Sequence, residues 1–270
     1  WTDAAALTIS PPLVRGADRL RRSLLPSLLE ARGHNLASAA PHGDLFEIAR
    51  GYLPAAELPA EPQFFSAVVT GEYADAKGLV EAVFARLGID PSGLTGPPPR
   101  VSYRPASHPL LAVGRTADVM LSLAGKPSVW VGVVGEVAPG LISHFNLGSA
   151  VAAFELRLDL IETAEVSDRS VNRPSEFPPV ERDLNLIVDE EVAWASLASA
   201  IDEASGGLLE QLTLTQVWRD EARIGPGRKS MVVSLSLRSS EATLSGDEVK
   251  QVIDAILESC TQRCGAALRG

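Results

Sequence analysis

The stretch DLNLIVDEEVAWASLASAIDEASGGLLEQLTLTQVW, residues 183–218, decides how the second half of the chain is read. Leu184, Leu186 and Val188 recur at every second position, so residues 183–188 read as a strand with one face committed to a core. Leu197, Ala198 and Ile201 then fall on one side of a helix over residues 194–204. Residues 208–219 return as a long strand. Strict alternation there puts Leu212, Leu214, Gln216 and Trp218 on one face and Thr213, Thr215 and Val217 on the other.

Downstream, residues 229–237 alternate cleanly as a further strand. Ser245 with Glu248 three residues on is a capping box that opens a helix. The apolar face of that helix is Val249, Val252, Ile253, Ile256, Leu257 and Cys260, and residues 266–268 make a short last strand. Strand, helix, strand, strand, helix, strand is the split, ferredoxin-like arrangement, with helices on one sheet face and the other open to a partner. Such a fold hosts many functions, so function has to be argued from a site. Upstream, Phe177, Pro178 and Pro179 stiffen the approach to the first of these strands. Arg182-Asp183 at its start predicts polar contacts to neighbouring backbone, a structural role.

The first half reads differently. Leu20, Leu24, Leu25, Leu28 and Leu29 recur at helical spacing, with Pro26 in the first turn of the helix. Strands are predicted over residues 45–52 and 64–69, and an amphipathic helix over residues 77–87 ends at Gly88. Short strands follow over residues 101–104, 117–123, 129–134 and 150–156, after a loop at Gly96-Pro97-Pro98-Pro99. This is an α+β domain with a largely antiparallel sheet. The polar, proline-rich stretch after it predicts a boundary: a first domain over 1–165, a linker over 166–174 and a second domain over 175–270.

Composition narrows the function. The chain has 270 residues, is 46% apolar and 21% charged, and carries a net charge of −10. No apolar run reaches the length of a membrane span, and no basic-then-apolar leader opens the sequence, so a cytoplasmic protein with no membrane partner is expected. A first residue of Trp1 rather than Met suggests a fragment or a processed product. The acidic balance argues against a general nucleic-acid binder, DNA included. Cys260 and Cys264, four apart on one helix face, read as reduced thiols rather than a disulfide or metal pair.

The histidines, His34, His42, His108 and His144, have no metal-ligand spacing, and no nucleophile elbow or Walker loop is present, so neither catalytic nor metal-ligating residues are expected. Residues 224–229 resemble a phosphate loop only superficially, because they join two strands instead of opening a helix. Arg15, Arg19, Arg21 and Arg22 form the densest positive cluster; it reads as a solvated arm or as a contact for RNA or an acidic partner. Trp218 beside Arg219 is, on its residues alone, more often a core or rim aromatic. Exposed, it would stack on a single-stranded base, worth roughly 1–3 kcal/mol.

Several stretches carry a family likeness. FPPVERDLNLIVDEE, LTLTQVWRD, GPGRKSMVVSLSLRS and TLSGDEVKQVIDAILESCTQRCGAALRG resemble, in order, the C-terminal domain of the bacterial phenylalanyl-tRNA synthetase beta subunit. Arg182-Asp183, Lys229-Ser230, Thr243-Leu244, Val249 and Leu268-Arg269 fit its pattern. LRRSLLPSLLEARGHN, LFEIARGYL, DAKGLVEAVFARLG, GRTADVML and VGVVGEVAPGLISHFNL resemble that subunit's class II synthetase-like module, which in the family is non-catalytic.

The resemblance implies a ferredoxin-fold domain that holds the anticodon stem-loop of phenylalanine tRNA. Gln216 stands where the family has aspartate, and Trp218 where it has tyrosine. With Arg219, Arg223, Arg228 and Lys229 they are the implied tRNA-binding residues. It also implies docking to a catalytic alpha subunit in a heterotetramer of two alpha and two beta chains, with Leu24, Leu25, Leu28 and Leu29 facing the partner. ATP and magnesium belong, by the same likeness, to the alpha subunit; no cofactor is expected on this chain. The family's further N-terminal domains are missing, and residues 175–270 carry 9 Lys or Arg against 16 Asp or Glu. A stand-alone paralogue serving as a non-catalytic RNA- or protein-binding scaffold is the alternative.

Overall fold

Alternating apolar residues in the first half pair into one antiparallel sheet. The computed structural model describes residues 5–12, 16, 18–38, 43–91, 99–162 and 176–269. These fall into two compact units, one within residues 5–162 and the other within 176–269. The predicted linker, 166–174, lies outside the described residues.

In the first unit, helix α1 (Leu25–Ala37) precedes strands β1 (Leu45–Arg50) and β2 (Gln63–Thr70). Helix α2 (Tyr73–Arg86), strands β3 (Arg100–Pro105), β4 (Leu111–Ser122) and β5 (Val129–Val137), the short helix α3 (Pro139–His144), β6 (Val151–Arg157) and the single turn α4 (Leu158–Ile161) follow. The sheet order is β1-β2-β6-β5-β4-β3, and every pairing is antiparallel. Strand β6 shows why two helices are needed: Ala152, Phe154 and Leu156 pack with Val80 and Phe84 of α2, whereas Val151 and Ala153 pack with the leucines of α1. Both faces of this strand are therefore covered.

Several of the differences from expectation have local reasons. Helix α2 starts four residues earlier than predicted, because the Asp75 carboxylate accepts the Glu72 backbone N–H at 2.8 Å and closes its first turn. Strand β4 starts at Leu111, since the interruption at Gly114 is a bulge between Leu111 and Thr116 and not a strand end. Helix α3 was not predicted; its six residues are too short for a periodic signal. In β5, Gly132 is required: an added Cβ would lie 2.3 Å from the Glu155 carbonyl oxygen of β6.

The second unit is built from β7 (Val180–Asp189), α5 (Trp194–Ala204), β8 (Leu209–Trp218), the turn α6 (Glu221–Ile224), β9 (Arg228–Leu237), α7 (Gly246–Cys264) and β10 (Ala267–Leu268). Its antiparallel sheet runs β10-β7-β9-β8, the ferredoxin-like order expected from sequence. The Ser245–Glu248 capping box opens α7, and Gly265 in the left-handed region closes it. Leu186, Val188, Met231, Val233 and Leu235 pack against Leu197 and Ile201 of α5 and Ile256 and Cys260 of α7.

Cys260 and Cys264 are free, and burial pushes the Cys260 thiol up to about 11, so it is a poor nucleophile. At the start of β7, Arg182 donates to the Glu181 carbonyl at 2.8 Å, the backbone contact expected there. Asp183 departs from that reading and accepts from the Ser234 hydroxyl at 2.5 Å across the β7–β9 pair. Among the described residues, no helix is long and apolar enough to cross a membrane, and no group of three His, Cys, Asp or Glu could hold a metal ion.

Candidate nucleic-acid interface

The open sheet face of the second unit collects the side chains that alternate away from its core. Opposite Leu184 and Leu186, strand β7 presents Asp183, Asn185 and Ile187; β9 presents Ser230, Val232 and Ser234. The Ser230 hydroxyl donates to Asn185 Oδ1, which ties the two central strands together on that face.

Strand β8 reaches this face through a bulge. Leu212 pairs with Leu235 and Leu214 with Val233, all on the helix side. The register then shifts between Leu214 and Gln216, and Thr215 is the extra residue. Beyond it Gln216 pairs with Val232 and Trp218 with Ser230, both on the open side, while Val217 pairs with buried Met231. The expectation that Gln216 and Trp218 share a face with Leu212 and Leu214 is thus corrected. One extra residue inverts the alternation and turns the Gln and Trp side chains out of the core.

Trp218 is half-buried, and the guanidinium of Arg269 lies 4.6 Å from its ring centroid. The Arg269 N–H donates to the Asn185 carbonyl at 2.8 Å, which holds the end of the chain beside β7 and lets its side chain cross the open face. Trp and Arg together form a flat cationic platform, worth roughly 0.5–1 kcal/mol at an exposed site before any ligand arrives. Arg269 is the site residue that sequence reasoning missed. The signals that pointed to it were the terminal Leu-Arg pair and the period of two across Asp183, Asn185 and Ile187.

The four predicted cations are placed differently. Arg219 is exposed and makes a two-pronged pair with Glu190, Nε to Oε2 at 3.0 Å and Nη2 to Oε1 at 2.6 Å. Those hydrogen bonds hold the Glu190 carboxyl below its ordinary range. Arg223 sits 3.6 Å from Asp220, and Arg228 3.6 Å from Asp189. Lys229 is corrected outright: it pairs with Val188 on the helix side, is 9% exposed, and donates to the Glu190 carbonyl at 2.7 Å. It is a structural residue. Arg219, Arg223 and Arg228 each already face a carboxylate, which lowers their attraction for a phosphate by a modest amount at an exposed pair.

The predicted partner-facing leucines are corrected as well. Leu24, Leu25, Leu28 and Leu29 are each no more than 5% exposed, packed against Phe64, Val68, Val133 and Leu147 of the same unit. Fully buried Glu155 fixes the start of α1 by accepting the Leu24 N–H at 2.7 Å and the Ser66 hydroxyl at 2.6 Å. Nearer its other end, Arg32 reaches Asp44 and the Thr70 hydroxyl, each at 3.0 Å. The apolar surface that does face outward is elsewhere. Phe46 and Ile48 of β1, Leu79 of α2 and Leu87 just after it are all more than 40% exposed, and Phe46, Leu79 and Leu87 line an apolar cavity of about 500 Å³.

The split, antiparallel βαββαβ sheet of the second unit defines a ferredoxin-like fold, and residues 175–269 match the family described as "Ferredoxin-fold anticodon binding domain". Residues 2–158 match the one described as "Phenylalanyl tRNA synthetase beta chain CLM domain", and the chain belongs to this phenylalanyl-tRNA synthetase beta-chain family. Relatives agree. The chain is 34% identical to the "Phenylalanine--tRNA ligase beta subunit" of Rhodopirellula baltica over 99% of its own length and 39% of the relative's. It is 31% identical to the protein of the same description from Geobacillus kaustophilus, over 99% of its length and 33% of the relative's. The chain therefore spans only about a third of the length of these relatives. A solved "pyrrolysyl tRNA synthetase" from Desulfitobacterium hafniense overlaps 54% of this chain and 50% of its own at TM-score 0.41 and 16% identity, too slight a likeness to bear on the fold.

Proposed function

We propose that this chain is the portion of a cytoplasmic phenylalanine–tRNA ligase beta subunit that binds the anticodon region of phenylalanine tRNA and docks the catalytic alpha subunit. It contributes no catalytic residue. ATP and magnesium, in this reading, act at the alpha subunit, in a heterotetramer of two alpha and two beta chains. The observation that carries the proposal is the Trp218–Arg269 platform, which stands on the uncovered face of a sheet matched to the anticodon-binding family. A ring stacks on any base, so selectivity has to come from the polar groups around it. Gln216 and Asn185 lie on the same face and offer amide groups to a base edge.

The test is a titration of the chain with phenylalanine tRNA and with the same tRNA carrying an exchanged anticodon loop. At least about tenfold weaker binding to the second, or 1.4 kcal/mol, is expected; equal affinity for both would leave the stand-alone scaffold as the better description. Docking is supported by the exposed Phe46, Ile48, Leu79 and Leu87, since contiguous apolar surface of this kind marks association sites. Phe46→Glu should reduce co-elution with the alpha subunit at least about tenfold while the unfolding transition stays in place. Undiminished co-elution would move the docking site away from this surface.

A further inference from the structure

The two halves of the open-face site stand on strands that are not neighbours. Gln216 and Trp218 belong to β8, Asn185 to β7, and Arg269 directly follows β10, while β9 runs between β8 and β7. Strand β8 is an edge, and beyond the bulge at Thr215 only Gln216, Val217 and Trp218 pair with β9. The chain then leaves the sheet through α6 and returns at Arg228, past Gly225 and Gly227, both of positive φ. A short edge segment with few pairs is the part of a sheet that opens at lowest cost.

Glu190, the residue after β7, holds both ends of this connection. Its N–H donates to the Gly227 carbonyl at 2.9 Å, and its carbonyl accepts from Lys229 Nζ at 2.7 Å. Its carboxylate takes the two-pronged contact from Arg219, which directly follows Trp218. That contact ties the end of β8 to the end of β7 past the intervening β9. Two parallel N–H···O bonds fix orientation as well as distance. Only this contact uses the Glu190 side chain, so a substitution releases it and leaves the two backbone contacts in place.

We propose that Glu190 is a positioning residue for anticodon discrimination: through Arg219 it fixes Gln216 and Trp218 relative to Asn185 and Arg269. The inference rests on the anticodon reading above and extends it to a residue that acts through its neighbour. Stacking on Trp218 tolerates a small displacement, whereas amide hydrogen bonds to a base edge do not. The experiment titrates the 270-residue chain, Glu190→Ala, Arg219→Ala and the double variant with phenylalanine tRNA and with the tRNA carrying the exchanged anticodon loop. The readout is the ratio of the two affinities, because a loss of folded protein lowers both by the same factor and leaves the ratio alone. An exposed pair contributes little to stability, so each variant should fold. The ratio, at least about tenfold in the unaltered chain, should fall at least about threefold in each single variant and no further in the double one. An unchanged ratio in Glu190→Ala, or losses that add in the double variant, would overturn the proposal and leave the anticodon reading intact. Equal binding of both tRNAs by the unaltered chain would instead overturn that reading, and this inference with it.

Discussion

Leu25→Asp should unfold the first unit. Leu25 is 1% exposed and packs in the core between α1 and the sheet, so the substitution removes a buried leucine and strands a carboxylate there. Loss of the leucine alone costs about 2–5 kcal/mol, and the unpaired charge adds to that. The sum is a large share of the 5–15 kcal/mol by which a domain of ordinary size is stable. Thermal unfolding should show the first unit's transition displaced or absent, with that of the second unit retained. If α1 instead presented its leucines to a partner, Leu25→Asp would leave the melting of the isolated chain alone and abolish only association. A melting temperature within about a degree of the parent's would contradict the burial described here.

The second large effect concerns Trp218. Its replacement by alanine removes the ring on which a base would stack and the surface over which Arg269 lies. Affinity for phenylalanine tRNA should fall by roughly 1–3 kcal/mol, about 5- to 150-fold. Stability should change little, because Trp218 lies on the open face of an edge strand rather than among the residues beneath α5 and α7. Arg269→Ala should give a smaller loss, since the platform keeps its ring and loses only its cation. A general phosphate site would behave in the opposite order, with the arginine mattering more than the ring.

Much of this was readable in the residues. The period of two in β7 and β9, the apolar stripe of α5 and the Ser245–Glu248 box each specify one local structure, and together they leave the ferredoxin-like order. The sidedness of β8 was not readable. Gln-Leu-Thr-Leu-Thr-Gln-Val-Trp alternates equally well with or without an extra residue, and only pairing with β9 reveals that Thr215 breaks the register. The leucines of α1 misled for a related reason. An apolar helix face has to be buried somewhere, and its spacing does not say whether the cover comes from its own sheet or another chain. Glu155 decides it by fixing the helix start onto the sheet, and its partners Leu24 and Ser66 lie 131 and 89 residues away in sequence.

Cations were the least legible part. Arg219, Arg228 and Lys229 cluster in sequence, but Asp189 at the end of β7 and Glu190 just beyond it, about 30 to 40 residues earlier, take up their charge or their hydrogen bonds. Arg269 stands apart in sequence and yet comes to lie on Trp218.

The central claim is that the open sheet face reads the anticodon loop through Trp218. It is tested most directly by measuring four affinities: the unaltered chain and Trp218→Ala, each against phenylalanine tRNA and against the tRNA with the exchanged anticodon loop. If Trp218 contacts the loop, the unaltered chain separates the two tRNAs by at least about tenfold and the variant binds both almost equally, a coupling of about 1 kcal/mol or more. A variant that discriminates between the two tRNAs as well as the unaltered chain does would contradict it.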